Sequence, residues 1–177
     1  SEQDFTIEIR IRTETNSDVA IIGYKDWDSG LNPCFVFSFE YPNGPACKVN
    51  LCDVNERADV NGSIGVADNQ WHTLTCSFDR DGMMRLYTDG VFVAEEDISS
   101  VGNIDVGSGW FFGSDILGDY NYTGAISEVR FWHNVLSDVT INTWHCSPLN
   151  ASHPDWESLV GHWALTEGSG TDVSNSA

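Results

Sequence analysis

This 177-residue sequence predicts an all-β fold, a two-sheet antiparallel β-sandwich with one short helix. Three observations carry that expectation. Residues 70–94 form a meander of three short apolar-alternating runs, broken at Asp81-Gly82 and again at Asp89-Gly90. Asp-Gly supplies the positive φ that tight hairpin turns need. Similar short runs, separated by clusters of turn formers, recur along the rest of the chain, which is the pattern of a sandwich. Helix signals gather at one place only, after Ser137.

Taken in order, Phe5 to Arg12 alternates cleanly, with Phe5, Ile7, Ile9 and Ile11 toward the core and Thr6, Glu8, Arg10 and Arg12 outward. Thr13 to Asp18 is a polar turn, and Val19 to Gly23 a short strand. Tyr24 to Pro33 is a loop of turn formers that carries Trp27 between Asp26 and Asp28. Cys34 to Phe39 is a strand with Phe35, Phe37 and Phe39 on one face; Tyr41 to Pro45 turns the chain. Lys48 to Val54 continues as a strand, Asn55-Glu56-Arg57 reads as a polar loop, and Asn61-Gly62 as a turn within Val60 to Val66. In the meander His72, Leu74, Cys76 and Phe78 share one face, and Trp71, Thr73, Thr75 and Ser77 the other. Glu95 to Val106 reads as loop with a weak strand, Trp110 to Gly113 as a short apolar strand, and Ser114 to Asn121 as a polar loop. Ala125 to Trp132 is a strand that groups Ile126, Glu128, Arg130 and Trp132 on one face. Ser137 is the N-cap of a helix over roughly Asp138 to Thr143. Leu159 to Leu165 is the last strand, and the small, polar tail from Thr166 to Ala177 is expected to fray.

The length fits one domain over residues 1–177, and 41% hydrophobic residues suffice for a core. Ser1 reads as the start of a mature fragment. No apolar run approaches the length that crosses a bilayer. Eight basic residues face 27 acidic ones, a net charge of -19. Such a chain repels nucleic acid, heparin-like polymers and anionic membranes, whose binding rests on neutralising phosphate or sulfate. Neutral sugars, cations and basic partners are compatible with it, and the acidity also serves plain solubility. Five cysteines leave at least one thiol free, and none of their spacings suggests zinc. Cys47 and Cys76 alternate with core residues and read as buried thiols; Cys34–Cys52 and Cys47–Cys52 bridges both stay open.

Asp4-Phe5-Thr6-Ile7-Glu8, Asn69-Gln70-Trp71-His72, Leu86-Tyr87-Thr88-Asp89-Gly90 and Gly124 to Trp132 resemble, in order, motifs of the laminin-G-like, concanavalin A-like lectin/glucanase domains. The resemblance covers most of the chain. It implies a jelly roll of two curved sheets, with Trp71, Trp132 and Trp163 as core positions. One departure stands out. Text that often opens such domains, similar to Trp163-Ala164-Leu165-Thr166-Glu167-Gly168-Ser169-Gly170-Thr171, here lies at the end. The resemblance further implies an accessory module of a larger multidomain protein, extracellular or at a bacterial cell surface or periplasm.

Hydrolases on this fold resemble one another in a Glu-x-Asp-x-x-Glu strand, whose alternation places acids on one face as nucleophile and general acid. The nearest text, Glu95-Glu96-Asp97-Ile98-Ser99-Ser100, lacks the last acid. No nucleophile elbow is present, and the five histidines lack metal-ligand spacing. The chain is therefore not expected to be an enzyme. His72, among core residues, reads as a hydrogen-bonded structural histidine.

A sugar site needs an aromatic face for the ring and amides or carboxylates for its hydroxyls. Two loops offer this: Trp27 with Lys25, Asp26 and Asp28, and Tyr120 and Tyr122 with Asp119 and Asn121; Asn55, Glu56 and Arg57 could join them. The plainer alternative is that Trp27 packs over a sheet edge and Tyr122 enters the core. The resemblance also implies calcium, for which Asp119 and Asn121 match one ligand position loosely and Asp28 or Asn32 another. The full ligand pattern is absent, and Asx turns explain these residues equally well. The reading is a non-catalytic glycan-binding module of a carbohydrate-processing protein. The alternative is a structural or protein-interaction module that packs against a neighbouring domain and binds no sugar.

Overall fold

A computed structural model describes all residues except 1, 2, 29, 31, 43, 106, 108 and 167–173. Among the described residues eleven strands form two antiparallel sheets. The larger sheet has the order β11 (Leu159–Trp163), β10 (Ala125–Trp132), β1 (Phe5–Arg12), β6 (Trp71–Phe78), β7 (Met83–Thr88), β8 (Val91–Asp97). The smaller runs β5 (Arg57–Gly65), β4 (Ala46–Cys52), β3 (Cys34–Phe39), β2 (Val19–Gly23), β9 (Phe111–Phe112). The alternating residues of β1 and β6 meet those of β3 and β4 between the sheets: Ile7, Ile9, Ile11, Leu74, Cys76 and Phe78 pack with Phe35, Phe37, Phe39, Val49 and Leu51. Each such large apolar side chain contributes about 1.5–3 kcal/mol on burial.

A second, smaller core lies on the outside of the larger sheet. There Tyr87 and Trp132 are covered by Leu136 and Ile141. Ile141 belongs to helix α1 (Asp138–Trp144), whose N-cap Ser137 accepts the amide of Thr140. Hydrogen bonds fasten this crossover to the sheet: Tyr87 Oη to Asp138 (2.6 Å), Thr73 Oγ1 to the His145 carbonyl (2.8 Å), and Arg130 to the carbonyls of Trp144 (3.2 Å) and Ser147 (2.8 Å).

Several details depart from the sequence expectations. Asn61-Gly62 is not a turn but the middle of β5, beside a register shift in the β4–β5 pairing. A Cβ at Gly62 would meet the Cys47 carbonyl oxygen, so this glycine serves close strand approach. Arg57 begins β5 rather than ending a loop. Glu95, Glu96 and Asp97 close strand β8. In β10 a register shift opposite Arg10 and Ile11 turns Ile126 into the main core, while Trp132 faces the second one. Trp71 is not a core residue; it is 38% exposed on the outer face. Cys34 and Cys52, directly opposite in the β3–β4 register, form the disulfide; Cys47 and Cys76 are buried thiols and Cys146 is an exposed one. Of the tail expected to fray, residues 167–173 lie outside the described residues; beyond them Asn175 accepts the His162 amide and Ser176 donates its own to the His162 carbonyl. Residues Glu167 to Thr171 of the displaced motif lie outside the described residues.

Candidate functional site

The two aromatic loops singled out in the sequence meet. Trp27 and Tyr120 stack with ring centroids 4.4 Å apart and planes 18° from parallel. Tyr120 Oη donates to Asp28 (3.1 Å), so a carboxylate fixes one end of the stack. Their loops flank β2. The amide of Ala20 bonds the Tyr120 carbonyl (2.8 Å), and Tyr120 itself adopts a left-handed φ of 50°. Both rings are half-buried, while Asp28, Asp119 and Asn121 are exposed around them.

Sequence reasoning missed the residue that holds this arrangement. Asp115 is 3% exposed and accepts the amides of Trp27 (3.3 Å), Leu117 (2.9 Å) and Asp119 (2.8 Å). One carboxylate thus serves both loops. Its only signal was Ser114-Asp115 ahead of Gly118, an ordinary Asx-turn pattern.

Lys25 leads from the aromatic ridge onto the outer face of the smaller sheet. It is 5% exposed, and its Nζ donates to the Trp27 carbonyl (3.3 Å). Burial, with the Arg57 charge next, lowers the pKa of its ammonium. On that face Lys48 pairs with Glu40 (2.6 Å) and Asp59 (3.3 Å), and Arg57 with Asp59 (2.6 Å). Asn50 completes the net with a 2.8 Å bond to Asp59. Arg57, whose charge reaches Lys25, therefore shares a polar face with it. Asn55 and Glu56 do not join them. Their amides fold about Asp53 (2.6 and 2.7 Å), which also takes the Gly102 amide, and these backbone bonds hold the Asp53 carboxyl below its usual range. No hydrogen bond links either residue to the Trp27 or Tyr120 loop among the described residues.

Asp28 is engaged with Tyr120, and Asn121 donates its amide to the Gly118 carbonyl (3.0 Å). Among the described residues no three His, Cys, Asp or Glu side chains are placed to share a metal ion. His72 is held between Asp89 (2.7 Å) and Asp68 (3.0 Å). Burial alone would lower its pKa, but those two carboxylates raise it on balance.

A third feature lies at the open edge between β9 and β11. Trp110, Phe112, Phe131 and Trp163 line an apolar cleft of about 420 Å³.

The fold recurs in solved structures. A "putative carbohydrate binding protein" from Bacteroides ovatus superposes with a TM-score of 0.73 at 16% identity, over 98% of this chain and 49% of that one. The carbohydrate-binding module CBM40 of the Ruminococcus gnavus IT-sialidase, bound to α2,3-sialyllactose, gives 0.66 at 16% identity, over 81% and 82%. The binding domain of botulinum neurotoxin DC gives 0.62 at 19% identity, over 82% and 36%. The chain thus spans about half of the first and little over a third of the last. Among curated proteins, none matches the sequence. A laminin-G family profile does match, over residues 1–142. With that match over most of its length and two antiparallel sheets face to face, the chain belongs to the concanavalin A-like lectin/glucanase superfamily.

Proposed function

We propose that this chain is a non-catalytic glycan-binding module of a secreted or cell-surface carbohydrate-processing protein. The observation that carries the reading is the Trp27–Tyr120 stack, braced by Asp28 and Asp115, backed by buried Lys25 and rimmed by Asn121, Asp119 and Asp26. Stacked, half-exposed rings offer an apolar platform held at low entropy cost, and the surrounding oxygens and amides match sugar hydroxyls. Two of the three structural neighbours are named for carbohydrate binding, and one of these two is bound to α2,3-sialyllactose, which supports the same class of ligand.

The test is a glycan array on the purified domain, with calcium and again with chelator, alongside Trp27→Ala. The platform predicts a hit that Trp27→Ala abolishes while the melting temperature moves by only a few degrees. Binding that persists in Trp27→Ala removes the assignment. Loss in chelator would bring calcium back to Asp28 and Asp119; indifference to chelator leaves stacking as the basis.

A second reading, a protein-interaction module, is favoured by the aromatic cleft of Trp110, Phe112, Phe131 and Trp163 beside exposed Phe111. A folded domain with no hit in either buffer would favour it.

A further inference from the structure

On the opposite face of the sandwich, the outer surface of the larger sheet, two arginines are held without an acid. Arg10 and Arg12 lie two residues apart on β1, so both point outward. Arg12 faces Trp71 in the β1–β6 register and Arg10 faces Thr73. The guanidinium carbons lie 5.1 Å (Arg12) and 5.5 Å (Arg10) from the Trp71 ring centre, within cation–π range. Neither forms an ion pair among the described residues, in a chain with 27 acidic side chains. By contrast Lys48, Arg57, Arg85 and Arg130 all pair with carboxylates.

The nearest natural partner is drawn away. Glu128 stands opposite Arg10 across β1–β10, yet its oxygens go to Arg130 (2.9 Å) and His162 (2.8 Å). On either side of the pair lies a hollow. Arg10 lines one of about 390 Å³ with Ser127, Glu128, Ser147 and His162. Arg12 lines another of about 370 Å³ with Thr13, Glu14, Thr15 and Asn69, and among the described residues Glu14 forms no ion pair with it. Both hollows carry hydroxyls, amides or imidazole, and each is of the size that takes a sugar unit.

We propose that Arg10, Arg12 and Trp71 form a second saccharide site, selective for glycans that carry a single carboxylate. This rests on the glycan-binding reading above and extends it to the other sheet. Two guanidinium forks steadied by one indole can grip a carboxylate through paired N–H donors, while the flanking hollows take ring hydroxyls. The net charge of -19 opposes long polyanions, so a monoanionic sugar fits better than a heavily sulfated chain.

The test is calorimetric titration of the purified domain with sialyllactose against lactose, and with the methyl glycoside of galacturonic acid, which carries one carboxylate, against methyl galactoside. Wild type should prefer each acidic partner by about tenfold, a preference that shrinks as salt rises. Arg10→Gln/Arg12→Gln should erase the preference and leave neutral-sugar binding at the Trp27 ridge intact. Arg10→Lys/Arg12→Lys should restore it in part, which separates lost charge from lost folding. The proposal is overturned if the Gln pair keeps the preference, if acidic and neutral partners bind wild type equally, if Trp27→Ala rather than the Gln pair removes the preference, or if heparin binds more tightly than sialyllactose. Absence of any sugar binding by wild type would instead remove the glycan reading as a whole, and this site with it.

Discussion

Glu8→Gln should make the protein more resistant to unfolding in alkaline than in acid solution, relative to wild type. Glu8 is 3% exposed on β1; one oxygen lies 3.3 Å from Arg130, and the other has no hydrogen-bond partner. Burial is the main cause that raises its pKa from 4.5 to about 7; the Arg130 charge opposes the rise and Glu128 adds to it. A carboxyl whose pKa is raised on folding stabilises the folded state fully below its unfolded value. That contribution fades as the pH climbs through the folded value. Between pH ~5 and ~8 the linkage amounts to about 2 to 3 kcal/mol of stability lost by wild type and not by the glutamine variant. Urea unfolding of both proteins at the two pH values reads the difference, since the titrating groups that do not touch Glu8 or its partners Arg130 and Glu128 cancel. A stability gap that is the same at both values, or that favours wild type in alkali, would show that Arg130 keeps Glu8 ionised throughout. The desolvation reasoning would then fail.

Two further substitutions test the frame of the aromatic ridge. Gly23→Ala drives a Cβ into the carbonyl oxygen of Phe35 at the point where β2 enters the Trp27 loop, and should cost about 2 kcal/mol in chemical denaturation; an unchanged midpoint would refute the close packing. Asp115→Ala removes the acceptor of three amides and should cost about 2 kcal/mol. Faster hydrogen exchange at Trp27, Leu117 and Asp119 is expected with it, and unchanged protection there would show that the loops hold without this carboxylate.

The sandwich was legible because alternation survives in β1 and β6: Phe5, Ile7, Ile9 and Ile11 face inward as their spacing requires, as do Leu74, Cys76 and Phe78, and Ser137 caps helix α1 where expected. What failed failed locally. Gly62 looks like a turn because glycine's freedom is the same whether the chain reverses or merely lets Cys47 come close. Ile126 changed faces because a register shift leaves no mark on composition. Trp71 was placed inside by family likeness, although its own alternation with Thr73 and Thr75 already put it outside. At the candidate site, Trp27 and Tyr120 were found because aromatics among acids are chemically conspicuous. Their direct contact across 92 intervening residues, which brings Asp28 to the Tyr120 hydroxyl, was not readable, and neither was the role of Asp115, whose partners are all backbone amides. Asn55 and Glu56 were grouped with these loops by polarity alone, whereas their position is set by the turn around Asp53.

The crossover fastened over Tyr87 and Trp132 has a mechanical consequence. Stitched to β1, β6, β7 and β10 by side-chain bonds and a second core, it acts as a batten across a plate, and the larger sheet resists being sheared apart. Among the described residues no such brace crosses the smaller sheet, and its edge strand β9 is two residues long. Under load or in a transient opening, that edge peels first. Because Gly113 is tied to Ile21 and Tyr122 to Gly113, the same event unseats the Tyr120 loop from the Trp27 ring. Adaptability is thereby confined to the side of the molecule that carries the aromatic ridge, while the arginine pair rests on the stiff plate.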